Sequence, residues 1–162
     1  MLILKCILFL ASISIIGFIS GRMLASFRFN ASAFPFRLFE FERSGKLYDN
    51  LHIKKWQNRL PDMSRIFVRL MPAKYLSECT DSKLSAMINE TCIAELTHII
   101  LALAGFLCIV ICRGAFSVIC SVLYFIGNIP FIIIQRYNRP RLIRLQQKAM
   151  QGREKQLCER SY

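Results

Sequence analysis

Apolar residues fall in three blocks along the chain, at 1–20, 96–112 and 115–134, with polar and strongly basic sequence between and after them. About 20 predominantly apolar residues are what a helix needs to cross a bilayer. Only Arg113-Gly114, a turn signal, separates the last two blocks, so 96–134 reads as a transmembrane helical hairpin. The helix that leads into it begins much earlier. Asp81 or Ser82 is a suitable N-cap, and no Gly or Pro interrupts the run through Glu95, Leu96 and His98 before Gly105. On the return, Gly127, Asn128 and Pro130 cluster near the exit, and Pro130 leaves the Ile126 carbonyl without its helical donor.

The first block carries Lys5 and then an uncharged run from Cys6 to Ile19, which fits a signal-peptide core or a first membrane helix. Gly21-Arg22-Met23-Leu24 offers no clean small-x-small cleavage site, so a retained helix is the stronger reading. Residues 25–42 interleave Phe27, Phe29, Phe34, Phe36, Phe39 and Phe41 with Arg28, Asn30, Arg37 and Glu40. Rings at headgroup depth with Arg reaching phosphate suit an interfacial collar, the alternative being an edge strand with alternating Phe. Leu47, Leu51, Ile53 and Trp56 recur at roughly helical spacing and predict a surface helix that Pro61 ends. Residues 64–77 alternate apolar positions with Arg65, Arg69 and Lys74 and predict a second short surface element.

The expected fold class is therefore an all-α integral membrane protein with about three transmembrane helices, a C-terminal helical hairpin and amphipathic surface helices. It divides into a transmembrane or signal-like segment at 1–20, a cytoplasmic or interfacial region at 21–81, the hairpin at 82–134 and a basic cytoplasmic tail at 135–162. A composition that is 54% hydrophobic agrees with a membrane solvent. The net charge of +12 has several conceivable partners, but no nucleic-acid recognition module is visible and no nucleic acid is expected as a partner. All of the 22 Lys and Arg except Lys5 and Arg113 lie in the segments that share one side of the hairpin. By the positive-inside rule that side, including the C-terminus, is cytoplasmic, in a multi-pass cell-membrane protein. Asn30-Ala31-Ser32 and Asn89-Glu90-Thr91 match the glycosylation acceptor pattern, but both fall on that side.

An ionisable residue at membrane depth is a candidate for function, because burying its charge unpartnered costs several kcal/mol. Glu95 and His98 meet that description and share a helix face at i, i+3, so Glu95 can orient His98 as a general base. Against this stands a purely structural role in helix contacts. After the last span, Arg136, Arg139 and Arg141, with Tyr137 and Asn138 between them, are placed to grip phosphate, and Asn138 and Pro140 predict a turn that aims the Arg side chains at the bilayer. A positive stop signal is the plainer alternative. Asn128 is a candidate oxyanion donor or a helix-packing group. Seven cysteines with no C-x-x-C pair indicate neither a disulfide framework nor a metal site; Cys108 and Cys112 share a face at i, i+4, and small apolar packing is the expected role.

A family resemblance joins these pieces. Ile53-Lys54-Lys55-Trp56 with Leu60-Pro61-Asp62, then Glu90-Thr91 with Ala94-Glu95-Leu96-x-His98, then Asn128-x-Pro130 and Gln135-Arg136-Tyr137-Asn138-Arg139-Pro140-Arg141-Leu142 resemble the glycosyl-4,4′-diaponeurosporenoate acyltransferases. The likeness extends over roughly 39–153, departs at Ile99, where the family has an aromatic, and leaves the N-terminal quarter matched only in being apolar. It implies a small bacterial membrane enzyme that esterifies a sugar hydroxyl of a glycosylated C30 carotenoid or related lipid with a fatty acyl group. The expected catalytic set is His98, Glu95 and Asn128, and the expected substrate-binding set is Arg136, Tyr137, Asn138, Arg139, Arg141, Lys54, Lys55 and Trp56. No cofactor is expected beyond an acyl donor such as acyl-CoA or acyl carrier protein as co-substrate. The partners are membrane lipids and the lipid or glycosylated isoprenoid acceptor. The rival from another class is a non-catalytic lipid-binding or accessory membrane protein that uses the same residues.

Overall fold

A computed structural model describes residues 2–43, 46–57 and 81–160. The regular elements among the described residues are all helices, with no strand, and most of the Phe-rich segment is turn and irregular backbone, so its edge-strand alternative is not adopted. The chain forms α1 (Leu2–Met23) followed by a 3-10 turn at Leu24–Ser26, then three short helices, α2 (Glu40–Arg43), α3 (Lys46–Asn50) and α4 (Ile53–Trp56). After these come α5 (Asp81–Ala104), α6 (Leu107–Cys112) and α7 (Ala115–Arg160). Two compact units result, one of Met1–Asn30 with Asn89–Arg136 and the other of Ala31–Ile88 with Tyr137–Tyr162.

Three stretches among the described residues are long and apolar enough to cross a membrane: Leu2–Ser26, Asp81–Cys112 and Ala115–Gly152. Their outward faces carry Ile3, Leu4, Ile7, Leu8, Ile15, Ile16 and Ile19, and on the hairpin Leu103, Leu107, Val110, Ile111, Leu123 and Ile126, all exposed. In water such a surface would drive aggregation; in lipid it is the solvated state, and the backbone is satisfied within each helix. The protein is a multi-pass membrane protein.

Hydrophobic burial gives little reason for helices to associate inside lipid, so close approach at small residues and hydrogen bonds between helices must do it. The first unit uses both. A Cβ at Gly17 would lie 2.8 Å from Leu101 Cδ2 and one at Gly21 would lie 3.0 Å from Thr97 Oγ1, so the Gly17-x-x-x-Gly21 face of α1 seats α5. Ser14 Oγ and Tyr124 Oη are 2.8 Å apart, joining α1 to α7. At Gly105 the helix breaks between α5 and α6, and Ser121 Oγ donates to the Gly105 carbonyl at 2.9 Å. The hairpin closes as expected at Arg113 and Gly114, both at positive φ.

At Gly105 the two arms of the hairpin pack closely, since a Cβ there would meet Tyr124 Cδ1 at 2.6 Å. Tyr124 is held by Ser14 and has little freedom to yield. Gly105→Ala is expected to cost about 1–3 kcal/mol, the usual cost of overpacking. A thermal unfolding midpoint in detergent equal to that of the wild type would contradict this close approach.

In the second unit the buried Glu42 accepts from the Phe39 amide at 2.7 Å and from Tyr48 Oη at 2.8 Å, the first bond being the backward half of a capping box on α2. Where one surface helix was expected, α3 and α4 are separated by a turn in which His52 takes a left-handed conformation, with Ile53 buried and Leu47 and Leu51 exposed. The expected element at 64–77, and Pro61, lie outside the described residues. At the start of α5, Asp81 and Ser85 both accept from Gln146 Nε2, at 2.6 and 2.8 Å.

One expectation from the sequence is corrected. Asn138 and Pro140 form no turn, because α7 runs through them unbroken. Proline in a helix interior costs about 3 kcal/mol. Anchors on either side of Pro140 offset that cost: Arg139 Nη1 donates to the Phe36 carbonyl at 2.7 Å, and Gln146 holds α5.

Candidate functional site

Among the described residues of the first unit, polar ties join α5 to α7. Two of them involve residues singled out from the sequence, but with different partners. His98 Nδ1 is 2.9 Å from Asn128 Oδ1, and Arg136 Nη1 donates to Glu95 Oε1 at 2.6 Å. The expected couple was Glu95 with His98, from their i, i+3 spacing. The antiparallel return of α7 instead supplies each of them with a partner from across the hairpin.

The hydrogen bonds around Asn128 determine which nitrogen of His98 carries its proton. Asn128 Nδ2 lies 2.8 Å from the Tyr124 carbonyl, which can only accept, so the amide nitrogen points there and Oδ1 faces the imidazole. His98 Nδ1 must then be the donor. In the neutral ring this leaves Nε2 with the lone pair, the form a general base requires. The ring stacks on Phe131 with centroids 4.6 Å apart and planes 9° apart, which fixes its orientation further. Asn128 is buried and His98 half-buried, so the couple is shielded without being closed off.

Glu95 is 0% exposed and Arg136 is buried. A carboxylate so placed must be paired, and the guanidinium is the charge that pairs it. Thr91, one turn before Glu95 on α5, is buried as well.

The remaining expected residues belong to the second unit. Tyr137 is buried, with its ring 5.5 Å from that of Tyr48 and the Arg141 guanidinium carbon 3.9 Å over its face. Arg139 is buried against the Phe36 ring and carbonyl, whereas Arg141 is exposed. A cavity of about 310 Å³ opens beside Arg139, with Ser32, Phe36, Arg37, Leu38 and Ile143 in its lining. Asn138 is half-buried, Lys55 exposed and Trp56 half-buried, with Trp56 Nε1 donating to the Leu51 carbonyl at 2.8 Å. The side chain of Lys54 lies outside the described residues.

Asn89, half of a glycosylation pattern, holds the chain entering the Phe-rich segment. Its Oδ1 accepts from the Phe29 amide and its Nδ2 donates to the Phe27 carbonyl, both at 2.8 Å. Sequence reading gave this residue no structural role.

The family model described as glycosyl-4,4′-diaponeurosporenoate acyltransferase matches residues 30–148. Proteins of that description from Staphylococcus aureus strains N315 and USA300 are each 33% identical over 113 residues, 68% of this chain and 67% of theirs. No solved structure matches. The matched stretch includes Glu95, His98, Asn128 and Arg136 as well as the second-unit residues around Arg139.

Proposed function

The chain belongs to the glycosyl-4,4′-diaponeurosporenoate acyltransferase family, and from that premise we propose that it esterifies a sugar hydroxyl of a glycosylated C30 carotenoid, or of a closely related glycolipid, with a fatty acyl group. The observation that carries a catalytic reading is the chain from the Tyr124 carbonyl through Asn128 to His98, which leaves Nε2 of a half-buried imidazole able to accept a proton.

In this reading Nε2 of His98 takes the proton of the acceptor hydroxyl as its oxygen attacks the carbonyl of an acyl thioester, carried by coenzyme A or acyl carrier protein. The tetrahedral intermediate expels the thiolate, and His98 returns the proton to the sulfur. No covalent acyl-enzyme is required. Asn128 orients His98 through Oδ1, a role beyond the oxyanion-donor one expected for it, and one N–H of its amide is engaged with the Tyr124 carbonyl. Glu95 and Arg136 hold the hairpin at the register that brings Asn128 to His98, and of the three arginines expected to bind substrate, Arg141, over the Tyr137 ring, is the exposed one and is assigned the anionic group of the donor or acceptor. The basic segments and the C-terminus face the cytoplasm, where both thioester donors are made.

The test is conversion in membranes from cells expressing the protein, supplied with glycosyl-4,4′-diaponeurosporenoate and a fatty acyl thioester, with the product followed by mass spectrometry. A new species heavier by one acyl group is expected, absent from membranes without the protein. If no ester forms, and cells lacking the protein lose no single ester from their lipids, the accessory reading replaces this one.

A further inference from the structure

Three thiols meet at the end of the bundle where the hairpin turns. Cys6, on α1, is buried against Cys108 and Cys112, on α6, and the three sulfurs all lie within 4.8 Å of one another. Cys6 and Cys108 are 0% exposed and Cys112 is half-buried. All three are free thiols. They stand apart from the polar couple: Cys108 and Cys112 follow His98 at a distance of roughly 15 and 20 Å along the helix axis.

We propose that Cys6, Cys108 and Cys112 form a binding site for a soft monovalent metal ion, Cu(I). Metal–sulfur bonds of about 2.3 Å put neighbouring sulfurs about 4.0 Å apart in a trigonal site. The thiols therefore need to draw in by less than about 1 Å, which side-chain torsions on two packed helices supply without moving the backbone. The donor set selects the ion. Three sulfurs with no histidine or carboxylate among them favour a soft ion content with three ligands, whereas structural Zn(II) takes four. A single positive charge is balanced by the loss of one thiol proton, which keeps the site neutral in surroundings of low dielectric while the other two sulfurs donate as thiols.

Such a site links the N-terminal helix to the hairpin turn. Leu2 already reaches this end, since its Cδ2 would lie 2.9 Å from a Cβ at Gly114. An ion shared by Cys6, Cys108 and Cys112 fastens α1 where the helix is otherwise surrounded by lipid-facing side chains, and its binding energy adds to the stability of the folded state.

The experiment titrates the full-length protein in detergent, reduced and without oxygen, with Cu(I) against a chromogenic Cu(I) chelator, and reads sulfur-to-metal absorption and bound metal by elemental analysis. One ion per chain is expected, with affinity reduced at least about 100-fold in Cys6→Ser and in Cys108→Ser, more than loss of a supporting group costs. Cys92→Ala and Cys120→Ala are expected to bind as the wild type does. Equal uptake by a Cys6→Ser/Cys108→Ser/Cys112→Ser variant overturns the proposal. A second measurement needs no variant: peptide-resolved alkylation of Cys112 in the wild-type protein is expected to slow on adding one equivalent of Cu(I), and an unchanged rate overturns the proposal. Stoichiometric Zn(II) uptake in preference to Cu(I) overturns the choice of ion.

Discussion

Arg136→Met is expected to destabilise the protein by about 3–5 kcal/mol, the largest effect of any single substitution outside the apolar packing, because it leaves Glu95 buried without its counter-charge. Glu95 is 0% exposed, and Arg136 Nη1 lies 2.6 Å from its Oε1. Both residues lie on helices long and apolar enough to cross a membrane, and a charge buried there without its partner has no water to hydrate it. The paired charges are not themselves a source of great stability, since taking two ions out of water costs nearly what their attraction returns. That asymmetry yields a sharper expectation. Glu95→Leu combined with Arg136→Met should recover most of the loss and fold to within about 1 kcal/mol of the wild type. Unfolding midpoints in detergent and steady-state levels in membranes check both statements, and a single Arg136→Met variant as stable as the wild type would show that the pair does not carry the hairpin. The double variant also separates two roles for Arg136. If its part is to hold the hairpin, acyl transfer returns with stability; if it also grips a phosphate, stability returns and transfer does not.

Hydropathy and turn chemistry made the hairpin legible, because a bilayer demands long apolar helices and Arg113-Gly114 is the one short interruption between two of them. Position in an apolar helix likewise marks Glu95 and His98 in the sequence alone. Their partners are not legible from that spacing, because helical periodicity describes neighbours on one helix, whereas a hairpin in lipid is held by groups on opposite arms. The signal was present in the numbering: His98 lies 15 residues before Arg113 and Asn128 lies 15 after it, and Gly105 and Ser121 stand 8 before and 8 after. Mirroring polar residues about the turn would have paired both sets. Arg136 stands further out than the mirror of Glu95, and its long side chain spans the difference.

Other features could not be reached that way. Pro140 was read as a turn because proline disfavours helix interiors, but Arg139 and Gln146 bind α7 to Phe36, Asp81 and Ser85, and such contacts between distant segments outweigh a local preference. Gly17-x-x-x-Gly21 is a small-residue face that its bulkier neighbours obscure in the sequence. The thiol triangle is the hardest case. Cys108 and Cys112 announce a shared face by their spacing, but Cys6 belongs to another helix, and nothing in a single sequence says which face of α1 meets α6.

His98→Ala is expected to lower the rate of acyl transfer by about 100- to 10,000-fold, the range over which a positioned general base accelerates proton transfer. Conservative replacement by glutamine should lose as much, since an amide cannot accept the proton at working pH, while leaving the unfolding midpoint close to that of the wild type. Asn128 supplies the test of mechanism. Asn128→Leu leaves the His98 Nδ1–H without its acceptor, so the ring loses the bond that holds Nε2 in the basic form, and kcat should fall with little change in KM. Asn128→Asp keeps an acceptor at the same place and should retain more turnover than Asn128→Leu, even though it adds a charge at membrane depth. A merely structural contact predicts the reverse order, because the apolar leucine is then the easier residue to accommodate in lipid. Near-normal turnover in both His98→Ala and His98→Gln would remove the imidazole from the reaction, and the chemistry would have to be sought among the second-unit residues around Tyr137 and Arg141.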